Sequence, residues 1–256
     1  MKELEKGSRI IGKTADISYD SVQSFFDERS KSENKKHKYN YVMYLDEQPE
    51  IAVERDRQAK ERVSELLSLA PGMSVLDIGC GIGRWGELFC QKGLFYYGID
   101  GSAQMIERAE ENLREYPNKK LFVGNARFTE KALRQNSIDR QFDIVIMSGV
   151  LMYLNDDDVI AVLKTINQIT EPNGQICFIE SMSDKERLTL KDIYSEELKQ
   201  NYSAIYRSVD EFISMMEEAF SDKYVLKCNE VLDFSDGFQK KRTHVTREHC
   251  VIWGKA

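Results

Sequence analysis

The chain has 256 residues, 41 % of them hydrophobic, which is enough to bury the core of one large α/β domain or of a compact domain with a modest cap. Its 36 basic and 43 acidic side chains leave a net charge of −7, and because affinity for nucleic acid rests on a basic face, we expect no nucleic-acid partner. No apolar run approaches the roughly 18 residues of a membrane span, and the charged start MKELEKGSRI lacks the apolar core of a signal peptide, so we expect a cytoplasmic protein with no membrane partner.

The cysteines and histidines indicate neither a disulfide framework nor a metal site. The five cysteines are an odd number, they form no CxxC pair, and several lie in apolar runs where free thiols pack as small hydrophobes. The three histidines have no spacing that is typical of metal ligands. We therefore expect no bound metal.

From about residue 50 onward, helical and strand patterns alternate along the chain. The first helix is predicted over 49–69, where Pro49 suits a helix start and Ala59 and Val63 share one face. Further helices are predicted over 84–93, between Ser102 and Pro117, over 155–170 and over 209–220. Strands are predicted over 73–78, 94–99, 121–126, 142–150, 175–181, 224–234 and 247–255.

This alternation predicts a doubly wound α/β fold. The continuous apolar run FDIVIMSGV is typical of a parallel strand that is covered on both faces, and repeated strand–helix–strand units imply right-handed crossovers. No helix separates the last two strands, so we expect the last strand to pair antiparallel. The prediction is a seven-stranded, mostly parallel sheet with an antiparallel last strand, and ligands should bind beyond the carboxyl ends of the strands.

Two segments lie outside this alternation. Residues 1–48 precede the first core helix and are rich in charged and aromatic residues, and residues 183–207 are inserted between the fifth strand and its helix. We predict that 1–48 form an N-terminal helical lid and that 183–207 form an inserted helical cap on a domain of residues 49–256.

The most informative motif is VLDIGCGIGRWG at 75–86, where a strand runs into a glycine-rich turn and then into a helix. Gly79 and Gly81 permit backbone angles that are closed to other residues, and they let a ligand lie against the chain. Asp77, just before the turn, can orient the loop or reach a ligand amine through water. The N-terminus of the following helix suits a carboxylate.

The acidic residue at the end of the second strand narrows the choice of ligand. Asp100 follows Gly79 by 21 residues, a spacing at which a carboxylate can accept hydrogen bonds from both hydroxyls of a ribose. NAD enzymes and S-adenosylmethionine enzymes share this feature, and a surface aspartate that caps the next helix is the alternative. GIGRWG at 81–86 matches the GxGxxG of dinucleotide enzymes, but it starts two residues too late, because Gly79 occupies the tight turn.

The segments that follow Asp100 favour the S-adenosylmethionine enzymes over the NAD enzymes. With VLDIGCGIG, GID, VGNA, FDIVIMSGVLMYL and EPNGQICFIE in this order, roughly residues 60–256 resemble the class I S-adenosylmethionine-dependent methyltransferase family. The resemblance implies a seven-stranded sheet with a reversed last strand, S-adenosylmethionine as the methyl donor and S-adenosylhomocysteine as the product. It also implies a set of cofactor-binding residues: Gly79, Cys80 and Gly81 at the methionine part, Asp100, Gly101 and Met105 at the ribose, Asn125 and Ala126 at the adenine, and Ser148, Gly149 and Val150 at the sulfonium.

The expected acceptor is a small molecule. SGVLMY after the fourth strand lacks the Asp/Asn-Pro-Pro-Tyr/Phe motif of amino-methylating DNA enzymes, and no proline precedes a cysteine as in the cytosine-C5 type. The candidates for contacting the acceptor are Tyr153, Arg207 and Tyr19, the last in a stretch that resembles the family's cofactor-covering first helix. Aromatic rings suit this task because they supply contact area together with a polar tip.

Methyl transfer from a sulfonium is an in-line displacement, which needs alignment and exclusion of water rather than a fixed catalytic triad. A hydroxyl acceptor must also lose its proton, and the candidate catalytic residues are His244, Glu180 and Tyr19. We predict transfer to an oxygen of a sugar, a phosphorylated compound or a natural-product-like molecule, by a monomer or a homodimer. The alternatives are transfer to nitrogen, a nicotinamide-dependent oxidoreductase, and a cofactor-binding module without turnover.

Overall fold

The computed structural model describes residues 7–31, 36–43, 47–196, 198–220, 223–232, 234 and 246–255. Within these ranges the helices are α1 (Tyr19–Lys31), α2 (Pro49–Leu66), α3 (Arg84–Gln91), α4 (Ala103–Asn112), α5 (Thr129–Gln135), α6 (Asp156–Ile169) and α7 (Val209–Phe220). The strands are β1 (Ser8–Ile11), β2 (Ser74–Ile78), β3 (Phe95–Asp100), β4 (Lys119–Val123), β5 (Phe142–Ser148), β6 (Thr170–Ser183), β7 (Leu188–Ser195), β8 (Gln200–Tyr206), β9 (Tyr224–Val231) and β10 (Thr246–Lys255). Short 3-10 helices span Lys38–Tyr41, Ala126–Phe128 and Leu151–Tyr153.

The central sheet has seven strands in the order β4-β3-β2-β5-β6-β10-β9. The pairs from β4 to β6 are parallel, whereas β10 is antiparallel to both of its neighbours. This arrangement confirms the predicted mostly parallel sheet with a reversed last strand. The strand order changes direction between β2 and β5, so the helices that follow these two strands lie on opposite faces of the sheet, and the carboxyl ends of the strands there are the expected place for a ligand.

Both faces of the central sheet are covered. On β5, the buried side chains of Val145 and Met147 pack with α6 and α7, whereas those of Ile144 and Ile146 pack on the opposite face with α2 and α3. Successive strand residues point to opposite faces, so a continuous apolar strand serves two helical layers at once. The fold is therefore doubly wound, as the sequence predicts.

The inserted segment is not helical, which corrects the prediction for 183–207. β7 and β8 form an antiparallel hairpin, and β1 adds to β7 to complete a second, three-stranded sheet. Tyr202 and Ala204, two residues apart on β8, pack against Phe25 of α1. Residues two apart point to the same face of a strand, whereas on a helix the residues that share a face are three or four apart. The spacing of these two buried residues therefore fits a strand. The N-terminal segment is helical only in part, because β1 precedes α1.

The N-terminal segment is tied to the core near the carboxyl ends of the central strands. The N–H of Ile17 donates to Asn155 Oδ1 at 2.9 Å, and Asn155 Nδ2 donates back to the Ile17 carbonyl at 3.2 Å. The rings of Phe25 and Tyr202 pack edge to face with centroids 5.4 Å apart. α1 and the small sheet thus form a cap over the strand ends. Among the described residues, no helix is both long and apolar enough to cross a membrane.

Candidate active site

A cavity of about 940 Å³ lies between the carboxyl ends of the central strands and the cap. One side, called the strand-end half below, is lined by Gly79, Cys80, Gly81, Arg84, Trp85, Asp100, Gly101, Ser102, Met105, Gly124, Asn125, Ala126, Ser148, Gly149 and Val150. The other side, called the cap half, is lined by Tyr19, Val22, Phe26, Met152, Tyr153, Leu188, Leu190, Ile193, Tyr202 and Tyr206. The two halves together provide room for a cofactor and a small acceptor.

The glycine turn after β2 brings two loops into close contact. The N–H groups of Gly79 and Cys80 donate to the Ile99 carbonyl at 2.7 and 2.9 Å, so the turn is fixed to β3. Gly79 has a φ of +80°, and a Cβ on it would lie 2.3 Å from Cγ2 of Val150. Both the backbone angle and the space therefore require glycine here. The turn presents bare backbone to the cavity.

Asp100 stands at the end of β3 with its carboxylate held by the backbone. Its Oδ2 accepts from the N–H of Gly81 and its Oδ1 from the N–H of Ser102, each at 2.9 Å. Burial raises the pKa of this carboxyl, and the two N–H donors oppose that effect. Each carboxylate oxygen has a second lone pair, so the group can still accept two hydroxyl hydrogen bonds from a ribose. Gly101 and Met105, predicted at the ribose, line the cavity beside it.

Asp77 lies beneath the turn and does not line the cavity. Tyr96 donates its hydroxyl to Oδ2 of Asp77 at 2.6 Å, and Oδ1 is buried without a hydrogen-bond partner among the described residues. Burial raises the pKa of Asp77 to about 7, although the hydrogen bond from Tyr96 and the positive charge of Arg84 oppose the shift. Of the two roles that the sequence left open for Asp77, this geometry favours support of the loop.

The predicted adenine residues also line the cavity. Asn125 uses its side-chain oxygen to accept from the N–H of Arg127 at 3.0 Å, which caps the 3-10 helix Ala126–Phe128. The guanidinium of Arg127 lies 3.9 Å from the ring centroid of Tyr19, close enough for a cation–π contact. Arg127 therefore links the loop after β4 to the cap.

The loop after β5 is fixed by Glu180. Ser148, Gly149 and Val150 line the cavity, and Oε1 of Glu180 accepts from the N–H groups of Val150 and Leu151 at 2.8 and 2.9 Å. Glu180 itself is buried and does not line the cavity; its Oε2 has no hydrogen-bond partner among the described residues. Burial raises its pKa to about 7, against the effect of the N–H donors. The position fits a loop support better than a base that contacts an acceptor.

Tyrosine hydroxyls dominate the polar surface of the cap half. The Tyr153 and Tyr202 hydroxyls are 3.3 Å apart, and the Tyr202 and Tyr206 hydroxyls are 2.9 Å apart. Tyr19 donates its hydroxyl to Asp158 and accepts from the N–H of Asn155 at 3.0 Å. Burial and the Asp158 carboxylate raise the pKa of Tyr19 to about 12. Tyr19 therefore keeps its proton at neutral pH.

Of the two remaining candidates, only Arg207 is among the described residues, and it does not line the cavity. Arg207 is 3 % exposed, and its guanidinium donates to the carbonyls of Leu151 and Leu154 at 2.9 and 2.8 Å and pairs with Asp156. Its positive charge is committed to holding the loop after β5, so the structure does not place Arg207 where it would contact an acceptor. His244 lies outside the described residues.

Arg84 is a cavity residue that the sequence reasoning missed. It begins α3, and its Nη1 and Nη2 donate to Oδ1 of Asp56 and to Oγ of Ser148, each at 3.1 Å. The available signal was its position: it stands directly after the glycine turn, at the helix start where a carboxylate was expected to bind. A guanidinium there strengthens the attraction that the helix N-terminus already provides.

Comparisons with known proteins agree with this geometry. Residues 76–176 match the family model described as Methyltransferase domain. Phosphoethanolamine N-methyltransferase 1 of Triticum aestivum is 31 % identical over 144 residues, which cover 54 % of this chain and 28 % of that protein. Demethylmenaquinone methyltransferase of Bacillus licheniformis is 28 % identical over 152 residues, covering 56 % of this chain and 60 % of that protein. The chain spans only about a quarter of the plant phosphoethanolamine enzymes that it matches.

Solved structures share the fold. Phosphoethanolamine N-methyltransferase 1 of Haemonchus contortus, in complex with phosphoethanolamine and S-adenosylhomocysteine, superimposes with a TM-score of 0.68 at 18 % identity, over 93 % of this chain and 48 % of that chain. Magnesium protoporphyrin IX methyltransferase of Synechocystis with bound S-adenosylmethionine gives a TM-score of 0.58 at 15 % identity, over 93 % of both chains. Residues 76–176 thus match the methyltransferase-domain family, and the fold around them is the one that these S-adenosylmethionine- and S-adenosylhomocysteine-bound methyltransferases share.

Proposed function

We propose that this protein transfers the methyl group of S-adenosylmethionine to an amine nitrogen of a small polar molecule that binds in the cap half. The strand-end half fits the cofactor, because the bare turn at Gly79, the carboxylate of Asp100 and the guanidinium of Arg84 suit its thioether chain, ribose and amino-acid end. The predicted cofactor residues after β4 and β5 line the same half. The sulfonium would then lie near Val150, where the two halves meet.

When bound, S-adenosylmethionine would supply an electrophilic methyl carbon, which the acceptor attacks in line with the carbon–sulfur bond, so that S-adenosylhomocysteine leaves with the bonding electron pair. The protein's part is alignment and exclusion of water. Glu180 fixes the Val150 and Leu151 amides, so the loop that would flank the sulfonium is held in place. Phe26 and Tyr153 pack edge to face at 5.0 Å and close the cap half above it.

The choice of nitrogen as the methyl acceptor rests on the aromatic side chains of the cap half. The rings of Phe26, Tyr153, Tyr202 and Tyr206 line this half, and aromatic faces would stabilise the positive charge that forms on an amine as it accepts a methyl group. A neutral amine attacks with its own lone pair and releases its extra proton to water afterwards. A hydroxyl would need a base during transfer, whereas Tyr19 keeps its proton and Glu180, which does not line the cavity, uses Oε1 to hold the loop after β5.

Some of the relatives, the plant phosphoethanolamine N-methyltransferases, add support for nitrogen and for a phosphorylated acceptor. The phosphoethanolamine N-methyltransferases act, by name, on an amine that carries a phosphate. Arg9 lines the cavity here and would pair with such an anion, whereas Arg127, which also lines the cavity, already lies 3.7 Å from the Asp158 carboxylate. Transfer to oxygen, predicted from the sequence, remains the second candidate, and His244 remains its proposed base.

The test uses S-adenosylmethionine with a ¹³C-labelled methyl group and a panel of small amines, phosphorylated amines, sugars and hydroxylated natural products. The expected result is a methyl carbon bonded to nitrogen in the NMR spectrum of the product. A methyl bonded to oxygen would overturn the choice of nitrogen. Cofactor binding without turnover across the panel would favour the binding-module alternative.

A matched pair of variants tests the location of the acceptor. Tyr202→Phe removes the hydroxyl that lies between those of Tyr153 and Tyr206, and we expect kcat/KM to fall about tenfold. Tyr116→Phe removes a hydroxyl that contacts Gln91 at the protein surface, and it should have no effect. Equal activity of the two variants would place the acceptor elsewhere.

A further inference from the structure

A chain of shielded ionic contacts leads away from the strand-end half at Arg84. Asp56 of α2 pairs with Arg84 through Oδ1 at 3.1 Å and with Lys60 through Oδ2 at 2.7 Å. The Asp56 and Lys60 side chains are only 4 and 14 % exposed, so water screens these contacts weakly. Arg84 also reaches Ser148, on the loop predicted to flank the sulfonium.

The chain of contacts continues to the N-terminal segment. Lys60 Nζ lies 2.7 Å from Oε2 of Glu87, and Tyr39 donates its hydroxyl to the same oxygen at 2.7 Å. Lys38 pairs with the other oxygen of Glu87. Tyr39 and Lys38 belong to the 3-10 helix Lys38–Tyr41, so the position of this helix depends on the Glu87 carboxylate. Asp56, Lys60, Glu87 and Tyr39 are called the relay below.

The 3-10 helix in turn shapes the cavity. Val42 and Met43, which follow it directly, line the cavity, and a Cβ on Gly81 would lie 2.8 Å from Cγ1 of Val42. Arg29 of α1 donates to the Tyr41 carbonyl at 3.2 Å. α1 carries Phe26 into the cap half. The relay therefore ends at a segment that borders the strand-end half and also contacts α1, which forms part of the cap half.

The charges along this path do not balance. Three positive groups, Arg84, Lys60 and Lys38, face two carboxylates, Asp56 and Glu87. Burial alone would raise the pKa of Glu87, but Lys60 and Lys38 hold it below its ordinary value, so Glu87 is charged at neutral pH. The Lys38 side chain is 38 % exposed, whereas that of Arg84 is only 10 % exposed and stands at the start of α3, where the helix N-terminus adds to its attraction for an anion. Arg84 is the member that borders the cavity, so the anion would enter there.

We propose that Arg84 binds the carboxylate of the cofactor's amino-acid end, and that the relay passes this contact to the 3-10 helix and α1, so that the acceptor site takes its final shape only after the cofactor binds. This inference rests on the proposed function, since it requires the cofactor to lie in the strand-end half. Asp56, Lys60, Glu87 and Tyr39 are positioning residues in this scheme. Cofactor binding would then precede acceptor binding.

Hydrogen exchange with three ligands tests the proposal. S-adenosylhomocysteine carries the carboxylate, decarboxylated S-adenosylmethionine lacks only that group in its amino-acid chain, and methylthioadenosine lacks the whole amino-acid end. At saturating concentrations of each ligand, we expect only S-adenosylhomocysteine to slow exchange in residues 36–43 and in α1, by about tenfold or more. Equal protection by all three ligands would overturn the role of the carboxylate.

Variants separate the relay from cofactor binding itself. Glu87→Gln keeps the shape of the side chain but removes its charge, and it should abolish the protection of 36–43 and raise the acceptor KM about tenfold. Affinity for S-adenosylhomocysteine should stay within about threefold. Tyr39→Phe, which removes a single hydroxyl, serves as a milder second variant. Glu61→Gln, an exposed partner of Arg57 on the same helix α2, is the control and should match the wild type.

The outcomes distinguish the two proposals. If S-adenosylhomocysteine fails to bind at all, the proposed function fails. If it binds and turnover proceeds, but Glu87→Gln and Tyr39→Phe retain full protection of residues 36–43 and an unchanged acceptor KM, the relay is wrong and the proposed function stands.

Discussion

The two halves of the cavity are built in different ways. The strand-end half consists of backbone turns at the ends of adjacent parallel strands, such as the Gly79 turn held by the Ile99 carbonyl. The cap half is assembled from side chains of α1, of the 3-10 helix Leu151–Tyr153 and of the β7–β8 hairpin, which are far apart in the sequence. Ser21 of α1, for example, donates to Asp192 of β7 at 2.6 Å across a separation of 171 residues.

This difference matches the two tasks that the proposed function requires. The methyl donor is the same molecule in every reaction of this family, so its site can depend on the turns that the sheet itself creates. The acceptor contacts a separate layer that can change without altering the sheet. Substitutions in the strand-end half should therefore affect cofactor affinity, and substitutions in the cap half should affect the acceptor alone.

The largest expected effect is that of Gly79→Ala. The new Cβ would lie 2.3 Å from Val150 at a φ of +80°, so the turn after β2 and the loop after β5 would be forced apart. Strain and overpacking of this kind cost about 3 kcal/mol, so affinity for S-adenosylhomocysteine should fall about a hundredfold by calorimetry. Gly72→Ala is the matched control, since Gly72 has a φ of +87° but nothing within 4 Å of its Cβ position.

Gly72→Ala should lower the stability by about 1 kcal/mol through backbone strain, with unchanged cofactor affinity. If the two variants lose cofactor affinity equally, or neither does, then close approach of the two loops is not what builds the cofactor site.

The next effect is that of Asp100→Ala. The cofactor ribose would lose a charged acceptor for its two hydroxyls, and the Gly81 amide would lose its own partner. We expect a loss of about 1.5–3 kcal/mol, or about ten- to a hundredfold in affinity for S-adenosylhomocysteine. The exposed Asp139→Ala variant is the control. Unchanged affinity in a folded Asp100→Ala protein would remove the ribose assignment.

In the cap half, Phe26→Ala should raise the acceptor KM about tenfold, because it removes a ring that packs at 5.0 Å against Tyr153. Cofactor affinity should remain within about threefold, in contrast to Gly79→Ala and Asp100→Ala. Phe95→Ala, at a half-exposed position on β3, is the control. A large loss of cofactor affinity in Phe26→Ala would mean that the two halves are not separable.

The sequence predicts the strand-end half well for a physical reason. Its residues follow strands whose apolar runs are easy to identify, and parallel strands bring their carboxyl ends to one edge. The turn at Gly79, the acidic residue Asp100 and the loop at Ser148 are therefore placed by local pattern alone. All of them line the cavity.

The cap could not be predicted in the same way. β7 becomes a strand because β1, far away in the chain, pairs with it and because β8 packs on α1. Long-range pairing of this kind leaves only a weak local signal. Arg207 has the same difficulty: a lone arginine suggests a ligand contact, and only the fold reveals that Asp156 and two carbonyls occupy its guanidinium.

The role of Glu180 could not be predicted from the sequence either. Its place at the end of the fifth strand suggests a base near the acceptor. In the structure, its Oε1 accepts from the Val150 and Leu151 amides, and a glutamine oxygen can do the same. Glu180→Gln should therefore keep turnover within about threefold, the smallest effect on catalysis among these variants. A base that contacts the acceptor would instead lose about a hundredfold or more on this substitution.

The pH dependence of stability gives Glu180 a second, independent signature. Burial raises its pKa from the ordinary 4.5 to about 7, so between these values the folded protein keeps a proton that the unfolded chain has released. The contribution of Glu180 to stability is thus fully present below pH 4.5 and is lost as the pH rises through 7, by up to about 3 kcal/mol.

Denaturant unfolding from pH 4.5 to 8 should show a shallower decline of the unfolding free energy for Glu180→Gln, whereas the exposed Glu61→Gln should follow the wild type. Asp77, whose pKa is raised in the same direction, remains in both variants, so the decline should shrink and not vanish. Parallel curves for all three proteins together with a large loss of turnover in Glu180→Gln would restore Glu180 as a charged group that acts on the acceptor.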